Sequence, residues 1–325
     1  MRRPLRRPVT RSALEAAAIP TYAGPRPVAE RAEALHFIQA PGRLPRGRRV
    51  YAIGDVHGRL ARLQSLHRLI AEDLAARPVP QAVLVHLGDY IDQGPDSAGV
   101  LTHLQCFDSN RKTLSWPGVT GPSPSAGGAP RETVPHWPGM AQSRRAMTER
   151  DNSSPAQTAP TKLDLPGVTV VNLMGDHERM LLDAIDGERA AATDWLWAGG
   201  REALSSWGLP ADLPREAWAG TFPADHIAFL RSLVLTHQEG DYLFVHAGLR
   251  PGVTLRDQAR DDLLMIRQPF LASEADFGAI VVHGHSSQPT AAILPNRIGL
   301  DTGAGICGRL TCAVLEEDGI ALMAG

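Results

Sequence analysis

Five short segments of the chain place acids, histidines and glycines directly after apolar runs. They read GDVHG (54–58), GDYIDQG (88–94), GDHE (175–178), HAG (246–248) and HGHS (283–286). Carboxylates and neutral imidazoles suit borderline divalent metals such as manganese, iron or zinc. A glycine beside a ligand lets backbone and ion approach closely. The segments therefore predict a metal site that is assembled from the ends of several strands.

The number of donors points to more than one ion. Three aspartates and three histidines are too many for a single tetrahedral site. Two ions that share a bridging carboxylate fit better, and such a pair activates water for in-line attack on a phosphoryl centre. His86 lies within a predicted strand and is interpreted as an ordinary core histidine, whereas His283 stays ambiguous.

Strand and helix patterns alternate around these segments. A short strand from Val50 leads into GDVHG, and other apolar runs predict strands at 82–89, 168–174, 242–246, 279–283, 298–301 and 310–315. Apolar residues at helical spacing from Leu60 to Leu74 predict a helix that ends before Pro78. Further helices are predicted at 96–105 and 177–186. Strands alternating with helices, then strands alone, predict an α/β fold with a mixed sheet.

Three regions lie outside this alternation. Residues 1–47 begin with an arginine-rich stretch and are predicted to be a disordered basic tail, so the catalytic domain would span 48–325. Residues 106–164 are rich in Pro, Gly, Ser and Thr and are predicted to be a disordered or loosely ordered insertion. Residues 194–240 look helical and loop-like, and their tryptophans are predicted to pack in the core or cap it: Trp195, Trp197, Trp207 and Trp218.

The composition is that of a soluble enzyme. The 325 residues are 43% hydrophobic and 21% charged, and the net charge is −2. This charge implies no attraction to nucleic acid or anionic membranes, and no apolar run approaches the roughly 18 residues that span a bilayer. Three cysteines indicate a reducing compartment. We therefore expect a cytoplasmic protein without nucleic-acid or membrane partners, whose oligomeric state stays open.

The five segments, in this order, resemble the metallophosphoesterase superfamily and, within it, the bacterial phosphoprotein (serine/threonine) phosphatase family. The resemblance covers roughly 48–105 and 165–318. It implies a four-layer α/β/β/α sandwich with two mixed sheets. It also implies a phosphatase that cleaves phosphomonoesters of phosphorylated proteins or small molecules. Two divalent ions would be the cofactors, with manganese expected first and iron or zinc as alternatives.

The resemblance also implies a role for each site residue. Six side chains would hold the ions: Asp55 and His57 the first, Asp176, His246 and His285 the second, and Asp89 both. A hydroxide that bridges the metals would attack phosphorus in one step, without a phosphoenzyme. His177 would protonate the leaving alkoxide, Asp92 would orient His177, and Arg267 matches an arginine that grips phosphate.

Three positions depart from the family pattern. Asp176 stands where the family has asparagine, and its extra negative charge should weaken both the acidity of the bridging water and the grip on phosphate. Gln93 stands where the family has an arginine that clamps phosphate by two parallel hydrogen bonds. Met265 replaces a tryptophan of related bacterial sequences. The first two departures predict reduced activity.

Two other functions fit the same residues. One is symmetrical diadenosine tetraphosphate hydrolysis, although Asp92 mildly favours a protein phosphatase because the hydrolases often lack an acid there. The other is a weakly active or non-catalytic relative that binds phosphate, which Gln93 and Asp176 favour and which Asp92, His177 and Arg267 oppose.

Overall fold

The computed structural model describes residues 35–108, 165, 167–187 and 189–325. The strands are β1 (Ile38–Gln39), β2 (Arg48–Ile53), β3 (Gln81–His86), β4 (Val168–Asn172), β5 (Thr236–Glu239), β6 (Tyr242–Val245), β7 (Ile280–His283), β8 (Ala292–Ile293), β9 (Arg297–Gly299), β10 (Thr311–Glu316) and β11 (Gly319–Ala324). The helices are α1 (Leu60–Ala76), α2 (Ser97–Asp108), α3 (Asp176–Asp186), α4 (Arg189–Trp195), α5 (Arg201–Ser206), α6 (Trp218–Thr221), α7 (Ala224–Arg231) and α8 (Arg260–Met265). A turn that is kinked at Gly199, Leu196–Gly200, joins α4 to α5.

Three parallel strands of the first sheet end at the same level. The sheet has the order β1-β11-β10-β2-β3-β4, in which β2, β3 and β4 run parallel. Ile53 pairs with His86, and His86 pairs with Asn172, so the last residues of the three strands lie side by side. Parallel strands present their carboxyl ends at one edge. The segments GDVHG, GDYIDQG and GDHE therefore all leave the sheet at that edge.

The second sheet carries the other two histidine segments. Its order is β5-β6-β7-β9-β8, with β6, β7 and β9 parallel and β5 and β8 antiparallel at the edges. Phe244 of β6 pairs with Val282 of β7. His246 and the 283–285 turn therefore follow the ends of two adjacent parallel strands.

Alternating side chains on the strands produce four layers, since successive residues of a strand point to opposite faces. Val50 and Ala52 of β2 pack with Phe244 in a core between the two sheets. Tyr51 and Ile53 face a second core, which the helices α1, α2 and α3 cover. A third cluster lies on the outer face of the second sheet, between β6, β7 and α8. The predicted α/β/β/α sandwich with two mixed sheets is confirmed.

The described fold begins before the predicted boundary at residue 48. Ile38 pairs with Ile320 of β11, and Ala40 and Leu44 are buried in the core between the sheets. Residues 35–47 therefore belong to the fold, and α2 continues to Asp108, into the predicted insertion. The rest of the predicted tail, 1–34, and the insertion residues 109–164 lie outside the described residues.

Each strand predicted from an apolar run is present, with slightly shifted ends, whereas β1, β5, β8 and β11 carried no recognised pattern. One prediction about the tryptophans was wrong. Trp195 and Trp218 are buried, but Trp197 is 82% exposed. Among the described helices, none combines the length and the apolar character needed to cross a bilayer.

A chain of buried hydrogen-bonded histidines links α1, α2, β3 and β4. His103 Nε2 lies 3.0 Å from His67 Nδ1, and His67 Nε2 lies 2.9 Å from His86 Nε2. His86 Nδ1 lies 2.8 Å from Asn172 Oδ1. Because a neutral imidazole carries one N–H and the amide oxygen only accepts, the donors run from His103 to His67 to His86 to Asn172. His86 is therefore a satisfied core histidine, as predicted.

Burial keeps these imidazoles neutral, because it lowers the pKa of His86 to about 3, that of His103 to about 4, and that of His67 well below its usual value. The unfolded chain takes up protons below pH of about 6.5, whereas the folded chain does not until the pH approaches the lowered values. The stability that the three neutral imidazoles contribute is therefore complete above pH of about 6.5 and is lost as the pH falls below it. At pH 5 the loss should be about 2 kcal/mol per imidazole.

We expect the variant His103→Gln to lose less stability on acidification than the wild type, since it has one titrating group fewer. The difference between the free energies of unfolding at pH 7 and pH 5 should shrink by about 2 kcal/mol, as measured by urea unfolding. The exposed His36 provides the control, and His36→Gln should behave like the wild type. Equal acid sensitivity of His103→Gln and the wild type would contradict this prediction.

Candidate metal centre

Candidate ligands from both sheets converge where the parallel strands end. One group of ligand atoms, all within 4.8 Å of one another, comes from Asp89, Asp176, His246 and His285. A second group within the same limit comes from His57, Asp89 and His177. Every member is buried. The structure thus brings five of the six predicted ligands into two adjacent groups that share Asp89, and it adds His177 to the second group.

The two carboxylate oxygens of Asp89 face different groups. Oδ1 lies 3.4 Å from Nε2 of His246. Oδ2 lies 3.6 Å from Nε2 of His57 and 4.0 Å from Nε2 of His177. One side chain therefore presents an oxygen to each group, which is the arrangement required of a carboxylate that bridges two cations.

Asp55 lies beside these groups but is a member of neither. Its Oδ2 accepts a hydrogen bond from the backbone N–H of His285 at 2.8 Å. Gly284 makes this approach possible, because a Cβ at that position would overlap Asp55 Oδ1. The expected sharing of one ion by Asp55 and His57 stays a prediction.

The site fits divalent cations on two independent observations. Asp55 Oδ1 and His285 Nε2 are buried without a hydrogen-bond partner among the described residues, which is costly for polar atoms. Burial and the charges of neighbouring carboxylates raise the pKa of Asp55, and they raise that of Asp89 to about 8. Cations would relieve both conditions. The donor set of carboxylate oxygens and imidazole nitrogens fits manganese, iron or zinc.

Left-handed backbone is concentrated at the site. Six non-glycine residues of the described chain have a positive φ. Five of them are His57, Asp89, Asp92, Gln93 and His285, all in the segments that follow the strands. Such conformations cost about 1–3 kcal/mol each and persist where surrounding contacts hold them. The backbone is therefore strained at the positions that aim the candidate ligands.

Asp92 contacts His177 by a hydrogen bond, and its orienting role stays a prediction. His177 Nδ1 donates a hydrogen bond of 2.7 Å to Asp92 Oδ2, which leaves Nε2 on the side of Asp89. Asp92 is held in turn by Trp195, whose indole Nε1 lies 2.9 Å from Oδ2 and 3.1 Å from Oδ1. Trp195 is buried against Trp218, with the ring centroids 5.2 Å apart. The sequence indicated only packing for Trp195, and its hydrogen bond to Asp92 was missed.

Electrostatics favour a charged His177 at neutral pH. Burial opposes the charge, but the carboxylates of Asp89 and Asp92 outweigh it and raise the pKa of His177 to about 10. Burial raises the pKa of Asp92 to about 6, although its hydrogen bond to His177 lowers it. Burial also lowers the pKa of His57 to about 3, so this imidazole is neutral and able to bind a cation. His177 and Asp92 therefore form an ion pair near pH 7.

Asp176, the unexpected acid in the GDHE segment, lies between two imidazoles. Its Oδ1 is 2.9 Å from His246 Nε2 and 3.0 Å from His285 Nδ1. Although burial raises the pKa of Asp176, these two contacts lower it well below its usual value. Asp176 is therefore a carboxylate in the folded protein.

Arg267 follows helix α8, which ends at Met265. Arg267 is exposed, and its guanidinium makes no hydrogen bond or ion pair within the described residues. Gln93 is exposed but adjoins the second group, because a Cβ at Gly305 would overlap Gln93 Oε1 and lie 2.9 Å from His57 Cδ2. The phosphate-gripping role of Arg267 stays a prediction.

Sequence analysis also missed two buried acids. Glu178 ends the GDHE segment and accepts four backbone N–H bonds, from Asp89 and Gly175 at 2.9 Å, Tyr90 at 2.7 Å and Ile91 at 3.2 Å. It thereby joins the loop after β3 to the start of α3. Asp301 follows β9, and its charge raises the pKa of Asp55. The position of Asp301 after an apolar run was the available signal for this acid.

We expect Glu178→Gln to weaken metal binding about 10–100-fold, the range found when groups that orient ligands are lost. The amide has one oxygen, and its NH₂ group would face backbone N–H donors, so the four bonds to Glu178 cannot all be kept. Isothermal titration with Mn²⁺ measures the affinity. Glu72→Gln, at an exposed acid of α1, is the matched control. Equal Mn²⁺ affinity in the two variants would rule out this positioning role.

Comparison with known sequences identifies the class of protein. Residues 48–116 match the sequence model of the family described as Calcineurin-like phosphoesterase. This match places that part of the chain in the metallophosphoesterase superfamily, so the predicted superfamily is confirmed. The bacterial serine/threonine phosphatase branch stays a prediction. No curated protein matches the chain significantly.

Solved structures give weaker likenesses. One, described provisionally as a diadenosine tetraphosphatase, has 20% identity, covers 85% of this chain and 93% of its own, and has a TM-score of 0.48. A cold-active protein-tyrosine phosphatase of a psychrophilic Shewanella has 17% identity, coverages of 87% and 83%, and a TM-score of 0.44. A Saccharomyces cerevisiae protein serine/threonine phosphatase has 12% identity, coverages of 86% and 79%, and a TM-score of 0.41. Similarity at this level carries no weight for substrate or mechanism.

Proposed function

We propose that the protein is a phosphomonoester hydrolase that uses two divalent cations, and that manganese is the preferred metal. The observation that supports this most directly is that the two carboxylate oxygens of Asp89 face different ligand groups. Oδ1 faces His246, and Oδ2 faces His57 and His177. The family match over 48–116 supports phosphoester chemistry. When bound, the cations would supply Lewis-acid polarisation of the phosphoryl group and activation of water for in-line attack.

Side chains of the protein carry the remaining steps. Asp55, His57, Asp89, Asp176, His246 and His285 are the proposed ligands. His177, charged near neutral pH and held by Asp92, donates the Nε2 proton to the leaving alkoxide. The indole of Trp195 keeps the carboxylate of Asp92 in place, so that Nδ1 of His177 stays occupied and Nε2 stays directed at the cluster.

We propose a slow enzyme that acts on phosphoproteins, with reduced turnover caused by the departures at positions 93 and 176. Gln93 offers no positive charge beside His57, and Asp176 adds a buried negative charge against His246 and His285. Selectivity for phosphoserine or phosphothreonine rests on the motif resemblance alone. The exposed guanidinium of Arg267 is proposed to bind the phosphate group of the substrate.

The test is a manganese-dependent assay with an aryl phosphate, a phosphopeptide and diadenosine tetraphosphate side by side. We expect release of inorganic phosphate from the first two, and loss of that release when the metal is chelated. Symmetrical cleavage of the dinucleotide as the dominant reaction would support the hydrolase alternative instead. Rates equal to those of the His177→Asn variant on every substrate would indicate a phosphate-binding relative without catalysis.

A further inference from the structure

A small cleft adjoins the candidate metal centre on the side of Gln93. It has a volume of roughly 370 Å³ and is lined by Gln93 and by residues 196–199, 201 and 202. This size is in the range of small-molecule sites. Because Gln93 Oε1 lies beside Gly305 and His57, the cleft continues from the second ligand group. The cleft is therefore large enough for the organic group of a phosphoester whose phosphate binds at the metal centre.

One wall of the cleft carries an exposed indole. Trp197 is 82% exposed, the highest value among the large hydrophobic residues of the described chain, and it lines the cleft. Its segment contacts Gln93 through Gly199. A single exposed apolar residue needs no explanation by itself, but an indole in the wall of a cleft beside candidate metal ligands is placed to contact a ligand there.

The backbone that carries Trp197 is unusual and closely fitted to Gln93. The turn Leu196–Gly200 is kinked at Gly199, whose backbone is not helical. Gly199 has a φ of +119°, and a Cβ at this position would lie 2.6 Å from Gln93 N. The turn can therefore approach the 88–94 segment only with glycine at position 199. Trp197 is thus held at the cleft by local geometry, rather than exposed by chance on a loose loop.

We propose that this cleft binds a planar aromatic ring carried by the leaving group of the substrate. An exposed indole beside a cleft of this size offers a flat face for stacking, which a serine or threonine side chain cannot use. The polar lining residues are Gln93, Arg201 and Glu202, and the opposite charges of the last two leave no net charge in the lining, which suits a neutral ring. A tyrosyl ring and a nucleobase share this chemistry. The inference rests on the proposed hydrolysis of phosphomonoesters and narrows its substrate class.

The decisive experiment compares two peptides that differ only in phosphotyrosine or phosphoserine, with the full-length, manganese-loaded protein. We expect a higher kcat/KM for the phosphotyrosine peptide. Trp197→Ala should lower that value about tenfold and leave the phosphoserine peptide within about twofold. Leu294→Ala truncates an exposed residue at the opposite end of β9 from the cluster, and it should change neither value. Adenosine monophosphate as a third substrate distinguishes a nucleobase from a tyrosyl ring.

Trp197→Phe provides a second variant, which keeps an aromatic face in the cleft, and we expect it to retain most of the preference for phosphotyrosine. Binding separates this inference from the proposed function. If the protein hydrolyses nothing, phenyl phosphate should still quench tryptophan fluorescence more than methyl phosphate does, and Trp197→Ala should abolish the difference. Equal effects of Trp197→Ala on both peptides, or no effect on either, would overturn the proposal.

Discussion

Replacing Asp89 with asparagine is expected to remove metal from the protein and to lower the rate of phosphate release about a thousandfold or more. Asp89 Oδ1 faces His246, and Oδ2 faces His57 and His177. Asparagine has nearly the same shape but a single oxygen and no charge. It can therefore serve one ligand group and not both. The variant separates the loss of a bridge from the loss of side-chain volume.

Metal content after gel filtration and steady-state rates with Mn²⁺ measure this effect. We expect the wild type to hold about two ions per chain and Asp89→Asn to hold fewer. Asp257→Asn makes the same chemical change at an exposed acid and should match the wild type. An Asp89→Asn protein with wild-type metal content and rate would refute the shared-ligand geometry and the proposed function that rests on it.

The His177→Asn variant is expected to lose about 10²–10⁴-fold in turnover, the usual contribution of a positioned general acid. The loss should depend on the leaving group. A good leaving group such as p-nitrophenolate needs little protonation, so the defect should be small there and large for an alkyl phosphate. This dependence separates proton donation from a metal-ligand role, which the position of His177 beside His57 and Asp89 also permits.

Asp92→Asn tests the partner of His177. The charges of Asp89 and Asp92 together raise the pKa of His177 to about 10, and the amide removes the second of them, so the imidazole should be charged over a narrower pH range. We expect a smaller rate defect than in His177→Asn, with the alkaline limb of the pH–rate profile moved to lower pH. Trp195→Phe, which removes the indole N–H that holds Asp92, should move the limb in the same direction. An unchanged profile in both variants would mean that the His177–Asp92 ion pair does not set the protonation state.

Most of the candidate site was readable from the sequence because its residues follow strands. An apolar run that ends in Gly-Asp marks the point where a buried strand reaches the surface, and parallel strands bring such points to one edge. Asp89, Asp176 and His246 could be grouped on this basis, although at least 69 residues separate each of them from the next in the chain. The edge strands β1, β5 and β8 could not be recognised, because their pairing with neighbours, rather than an alternating pattern, makes them strands.

The roles of the residues that hold the ligands in place could not be predicted from the sequence. Glu178 and Trp195 look like a helix acid and a core aromatic, and only their contacts with the 88–94 segment give them a role. Trp197 shows the reverse error. A tryptophan in a helical stretch predicts burial, but Trp197 lies in the kinked turn Leu196–Gly200 and is exposed.

By itself, the sequence determined which side chains can bind a cation and which strand ends carry them, because residue type and apolar runs are local properties. Only the tertiary structure decided that Asp89 divides its oxygens between two groups, that Trp195 holds Asp92, and that Trp197 borders a cleft. These features depend on which atoms face each other across tens of residues of intervening chain. That depends on how the two sheets and the helices pack, and no local pattern records it.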